Sequence, residues 1–219
     1  AEEKKNKTDQ LLLTAPVSVW KVVLGKYLSM VTMYLIPVVI AGFYPLIMGR
    51  YGTVSYAMAY TALLGFFFLG CAQIAVGMFL SSVTESQVIA AVLTFGVLFC
   101  SFMMDGITSF FSDTAITSMM AFLVLVIILG VIIYQMTKSV VLSAGVSGVL
   151  AVVTLVVYII KPTVYSGLIQ KVLGLLAISN QFDNFVGGIL DMTGILYMLS
   201  VICIFVFLTI QCIQKRRWS

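Results

Sequence analysis

Six stretches of this chain, each 18 to 24 residues long, carry no charged side chain: Tyr27–Met48, Ala57–Leu80, Gln87–Met104, Ser118–Gln135, Val140–Ile160 and Thr193–Ile213. A helix of about 20 residues crosses a bilayer core of roughly 30 Å. Each run is apolar throughout instead of alternating, and each is longer than a barrel strand, so the spans are helices. The pattern predicts an all-α fold, a polytopic membrane bundle with six transmembrane helices. Residues 1–26 form a polar leading segment and residues 27–219 the membrane domain.

The leading segment is the only long stretch that passes from polar to apolar. Its charges give way to a ridge at Leu11, Leu12 and Leu13, and Pro16 ends that helix before Ser18 caps the next one. A short surface helix with one apolar ridge rests in lipid headgroups or docks into a soluble partner. Docking is the favoured reading.

Further along, Pro37 and Pro45 each remove a helix hydrogen bond and are expected to bend the first span. The segment DGITSFFSDTAIT between the third and fourth runs is expected to dip back into the membrane. In the fifth run Ser143, Ser147 and Ala151, and also Ala144 and Gly148, recur every four residues, a spacing that lets backbones approach. Lys161–Met192 is too apolar for a free loop and too interrupted for a span. Its Val164, Leu168, Val172 and Leu175, beside Gln170 and Lys171, predict an interfacial helix on the outer side. Gly187 and Gly188 then break the chain before Asp191, whose charge meets the positive end of the last helix.

Composition agrees with this pattern. The 219 residues are 62% hydrophobic and only 9% charged, against about 25% charged in an ordinary soluble domain. Mean hydropathy is +1.16. Cys71, Cys100, Cys203 and Cys212 lie inside apolar runs without paired spacing and read as small buried hydrophobes, with neither a disulfide framework nor a metal site. The net charge of +4 is too scattered for nucleic-acid binding and makes sense as topology. With the leading segment cytoplasmic, the inner side carries Lys4, Lys5, Lys7, Lys21, Lys26, Lys138, Lys215, Arg216 and Arg217, and the outer side Arg50, Lys161 and Lys171. The acids divide evenly, so the asymmetry lies in Lys and Arg, as the positive-inside rule requires. Both termini are expected in the cytoplasm. The charged start lacks the pattern of a cleavable signal peptide, and an initial Ala suggests that the native start lies upstream.

The runs contain no Asp, Glu, Lys or Arg, and the chain has no histidine. Ion-coupled carriers bind their driving ion with ionisable groups at membrane depth. Intramembrane hydrolysis needs paired acids, metal ligands or a nucleophile with its base. Neither set is present in the runs. Gln73, Gln135 and Thr154, the most polar side chains deep in the spans, read as interhelical hydrogen-bond partners ahead of substrate contacts. No G-x-x-x-x-G-K-[ST] occurs, so ATP, if used, is bound by another chain.

The start, EEKKNKTDQLLLTAPVSVWKVVLGKYL, and the end, FDNFVGGILDMTGILYMLSVICIFVFLT followed by KRRW, resemble the ABC-2 type permeases, most closely the branch of gliding-motility and nitrous-oxide-reductase-maturation permeases. The matching positions of the first motif are Thr8, Leu11, Leu12, Leu13, Thr14, Pro16, Val17, Ser18, Leu24, Gly25 and Lys26. Lys7 stands where glycine is usual, and Gln10 where glutamate is. The middle of the chain matches in hydropathy alone.

The resemblance implies that residues 1–26 hold a cytoplasmic coupling helix that fits a cleft of a separate ABC ATPase subunit. Thr8, Gln10, Leu11, Leu12, Leu13, Thr14, Pro16, Val17 and Ser18 would form that interface. It also implies that two membrane helices precede this chain, that Ser118–Ile160 is an extra hairpin, and that the full protein has eight spans. The chain itself would bind no cofactor or metal, with ATP and Mg on the partner. Its other partners would be the lipid bilayer and a second permease copy or a homologous permease, in a bacterial plasma membrane. The function implied is the permease of an ATP-driven exporter. A membrane scaffold that uses the ATPase for motility or maturation work, without moving a solute, is the alternative.

Overall fold

The computed structural model describes residues 18–110, 112, 114–137, 140–161 and 165–218. Among these the regular elements are all helices: α1 Val19–Gly42, α2 Tyr44–Met48, α3 Tyr56–Val83, α4 Gln87–Phe110, α5 Ala115–Thr137, α6 Val140–Ile160, α7 Leu168–Leu176, α8 Asn180–Val186 and α9 Met192–Trp218. Four segments are long and apolar enough to cross a membrane: Val19–Met48, Tyr56–Val83, Gln87–Met104 and Met192–Lys215. The fourth and fifth apolar runs are helical as α5 and α6, whose described apolar stretches, Ala115–Ile127 and Ala144–Ile160, are shorter.

Two compact units result. One comprises the chain up to Phe102 and again from Ile178 onward, the other Met103–Ala177.

In the first unit α1 packs antiparallel to α3, and three tyrosine hydroxyls set the register. Tyr27 donates to the Cys71 carbonyl at 3.2 Å, Tyr34 to that of Phe66 at 2.9 Å, and Tyr60 to that of Gly42 at 3.3 Å. Each bond satisfies a phenol that hydrocarbon cannot. Glycine makes room for the rings: a Cβ on Gly70 would overlap the Tyr34 ring.

α3 and α9 run parallel, both packed against α1. Val19, Val23 and Tyr27 of α1 are buried with Ala75 of α3 and with Val206 and Ile210 of α9. A second cluster joins Leu69, Ala72 and Val76 to Met198 and Val201, with Ile178 set among them. At the end away from Val19, the short α8 is pinned by Phe185, which is fully buried. Its ring occupies the space where Gly65 of α3 and Gly194 of α9 have no side chain. Gly188, at φ +80°, then lets the chain pass beside Met58 on its way to α9.

In the second unit α5 and α6 form a hairpin whose close point is Gly130, where a Cβ would lie 3.0 Å from the Ser147 Cβ. Tyr165 stands edge-on to Phe122 of α5 and Tyr158 of α6 and donates its hydroxyl to the Thr154 carbonyl. Gly167, at φ +70°, turns the chain into α7. There the Ile169 amide donates to the buried Ser118 hydroxyl at 3.5 Å.

Several expectations shift. α1 starts eight residues before the apolar run, because Lys21 and Lys26 lie on its exposed side while Val19, Val23 and Tyr27 pack inward. Residues 19–26 are thus helical and continuous with the first apolar run, in a segment, Val19–Met48, that is long and apolar enough to cross a membrane. Helix α1 continues through Pro37. Pro45 instead sits in the first turn of α2, where its missing N–H is harmless, and the chain breaks at Phe43. Asp105–Phe110, expected to re-enter the membrane, extend α4. The outer segment is not one element, since α7 belongs to the second unit and α8 to the first. Of the two small-residue rows in α6, Ser147 and Ala151 turn inward while Ala144 and Gly148 are exposed. Cys71 is buried, but Cys100 and Cys203 stand on exposed faces.

Candidate functional site

Of the nine residues expected at the partner interface, Thr8, Gln10, Leu11, Leu12, Leu13, Thr14, Pro16 and Val17 lie outside the described residues. Ser18 is the first one described. It occupies the N-cap position of α1 with an extended backbone, but its hydroxyl makes no capping hydrogen bond. The turn is closed instead by backbone bonds from Lys21 at 3.0 Å and Val22 at 3.4 Å to the Ser18 carbonyl.

The first turns of α1, directly after Ser18, are packed against two other helices. Val19, Val23 and Tyr27 recur every fourth residue, so they present one stripe to Ala75, Val206 and Ile210. At this same end the Cys212 thiol of α9 reaches the Ser82 carbonyl of α3 at 3.6 Å. The Ser82 hydroxyl is tied in turn to the Phe79 carbonyl at 2.7 Å. Ser18 thus leads directly into a contact shared by α1, α3 and α9. Sequence pattern alone missed this stripe because the rest of α1 is nearly as apolar as its buried side. The signal was the i, i+4, i+8 spacing once the helix is started at Val19.

Charge separates along the first unit. Lys21, Lys26, Glu85, Lys215, Arg216 and Arg217 lie toward the end that contains Ser18, and Arg50, Asp183 and Asp191 toward the other. Beside the first group an open groove of about 540 Å³ is lined by Gln211, Cys212, Gln214 and Lys215 of α9.

At the opposite end Asp191 caps α9 through its Oδ1, which accepts from the Thr193 amide at 2.9 Å. Its Oδ2 accepts from the Asn184 side chain at 2.8 Å. The Asn184 bond first, and the Thr193 amide after it, hold the carboxyl below its ordinary value. A depressed folded value stabilises above the unfolded pKa and is lost as pH falls through the folded one. Asp191→Ala is accordingly expected to lower the melting temperature at neutral pH, and the gap to the native chain is expected to narrow below about pH 4, where the unfolded carboxyl begins to protonate. Melting curves against pH check this, and a gap that stays constant into acid would show that the carboxylate charge has no part in the cap.

The polar side chains expected to join helices behave unevenly. Thr154 bonds its own helix at the Ala151 carbonyl, 2.7 Å away. Gln73, half-buried, has no hydrogen-bond partner among the described residues, and the side chain of Gln135 lies outside them.

Residues 1–217 match the family model described as ABC-2 family transporter protein. The chain belongs to the ABC-2 family. That match spans both units, so the α5–α6 hairpin lies within it. No curated protein and no solved structure matches the chain. ABC-2 proteins supply the transmembrane permease of ABC transporters and not the ATPase, which makes this chain a multi-pass membrane transport protein.

Proposed function

We propose that this chain is the permease of an ATP-driven exporter and that a separate ABC ATPase subunit docks on its leading segment. The family match over residues 1–217 carries the reading. In this scheme the α5–α6 hairpin completes six spans, and both termini face the cytoplasm of a bacterial cell. A second permease, identical or homologous, completes the pore. The placement of Lys21, Lys26, Lys215, Arg216 and Arg217 at one end supports that orientation. The likeness of the leading motif to gliding-motility and nitrous-oxide-reductase-maturation permeases supports membership in that branch.

ATP, with Mg, closes two ATPase subunits around nucleotide. Leu11, Leu12 and Leu13 form the buried contact with the ATPase, flanked by Thr8, Gln10, Thr14, Pro16 and Val17, and Lys4, Lys5 and Lys7 lie at its rim. Movement of this segment pulls on Ser18. Since Val19, Val23 and Tyr27 are packed against α3 and α9, α1 cannot slide alone, and the helices shift together between cavity states. The energy of coupling has to pass through this contact, because the sequence carries no phosphate-binding loop of its own.

The test is purification of the tagged full protein from its own membranes. A stoichiometric chain with nucleotide-binding motifs and ATP hydrolysis is expected to accompany it, and its absence would end the reading. Substrate-stimulated ATPase activity in liposomes then separates an exporter from a scaffold.

A further inference from the structure

α9 keeps one side away from the rest of its unit. Ile204, Phe207, Leu208, Gln211 and Lys215 are all exposed, and their spacing of three or four residues sets them in one stripe along the helix. That stripe is apolar as far as Leu208 and polar from Gln211 onward. The segment long and apolar enough to cross a membrane closes at Lys215, so Gln211, one turn earlier, stands where hydrocarbon gives way to headgroups. One leaflet of hydrocarbon, about 15 Å, corresponds to about ten helical residues. Counted back from Gln211, it takes in Ile204, Phe207 and Leu208.

At this depth the surface is concave, in the groove of about 540 Å³ lined by Gln211, Cys212, Gln214 and Lys215. The Cys212 thiol is engaged by the Ser82 carbonyl. The side-chain amides of Gln211 and Gln214 and the Lys215 ammonium have no hydrogen-bond or ion-pair partner among the described residues. Two amides thus offer donors beside one cation, and no carboxylate is among the described lining residues to neutralise it. Arg216 and Arg217 follow in the same helix, and Lys21 and Lys26 add positive charge at this end. An amide left unmatched at the edge of hydrocarbon costs free energy. A phosphate accepts from amide N–H and ammonium groups together, whereas a zwitterionic head brings a cation of its own that Lys215 repels.

We propose that this groove holds the phosphate of an anionic glycerophospholipid, with an acyl chain of that lipid lying along Ile204, Phe207 and Leu208. Binding here depends on α9 crossing the membrane, and on neither an ATPase partner nor export.

The full protein, purified in dodecyl maltoside, is titrated with phosphatidylglycerol and with phosphatidylcholine of the same acyl chains, and bound lipid is counted by native mass spectrometry. One phosphatidylglycerol is expected to stay bound under collisional activation that strips phosphatidylcholine. Lys215→Gln is expected to weaken it about fivefold, the worth of one basic residue at an anionic surface, and Lys215→Arg to keep most of it. Gln211→Leu, which leaves every charge in place, is expected to weaken it about threefold. Both side chains are exposed, so the melting temperature is expected to hold and binding is readable in each variant. Lys21→Gln removes an equal charge at the same end but outside the described lining of the groove, and is expected to have little effect. A photoactivatable phosphatidylglycerol is expected to label the peptide covering residues 204–215. Equal retention of the two lipids, labelling elsewhere, an equal loss in Lys21→Gln, or full binding in both Lys215→Gln and Gln211→Leu would overturn the proposal. So would displacement of the lipid by inorganic phosphate at equal concentration, which would make the groove a site for a free anion. Absence of an ATPase partner would end the transport reading and leave this binding measurable.

Discussion

Gly65→Ala is expected to destabilise the protein and undock α8, because no room exists for even one methyl group. A Cβ at residue 65 would lie 2.5 Å from Phe185 Cγ and 2.6 Å from Phe185 Cβ. The ring has no exposed surface. It cannot step aside toward α9 either, since Gly194 closes the other flank, where a Cβ would lie 3.0 Å from Phe185 Cε2. Overpacking of this kind costs about 1–3 kcal/mol. At roughly 2–4 °C per kcal/mol for a chain of this size, the melting temperature in nanodiscs is expected to fall by about 2–12 °C. Phe185→Ala removes a fully buried ring and is expected to cost about 3–5 kcal/mol. The two changes act on one contact, so the double variant is expected to lose less than the sum of the single variants. Strict additivity would show that Gly65 is not reserved for the ring.

The second large effect is functional. Leu12→Asp is expected to uncouple ATP hydrolysis from transport while the membrane fold, followed by its melting curve, stays intact. Burying an unpaired carboxylate in the apolar contact with the ATPase costs about 3–5 kcal/mol, at least a hundredfold in association. Leu12 lies upstream of Ser18, so the stripe of Val19, Val23 and Tyr27 is untouched by the change. Unaltered ATPase association and transport in this variant would remove the coupling role from the leading segment.

The positions of the helices were legible because lipid imposes a length and a composition on anything that crosses it. The run from Val140 to Ile160 is α6 to the residue, and those ending at Leu80 and beginning at Thr193 miss by no more than a turn and a half. Asp191 was also legible, since a carboxylate one residue before an apolar helix has one favourable partner, the free amides of the first turn. Faces were not legible. α3 is apolar all round, so nothing in its composition separates the residues that touch α9 from those that touch lipid. The start of α1 was not legible for a related reason: Lys21 and Lys26 read as polar chain, and only the packing of Val19 and Val23 shows them to be the outer side of a helix.

By itself the sequence determined that this is an all-helical membrane protein and where most of its long helices begin and end. It could do so because a bilayer selects for hydropathy and length, which are local properties. Only the tertiary structure decided that the start of α1 is gripped by α3 and α9 and that Phe185 fills the gap left by two glycines. In lipid, apolarity no longer distinguishes inside from outside, so such contacts are chosen by the shapes of small and large side chains brought together from far apart in the chain.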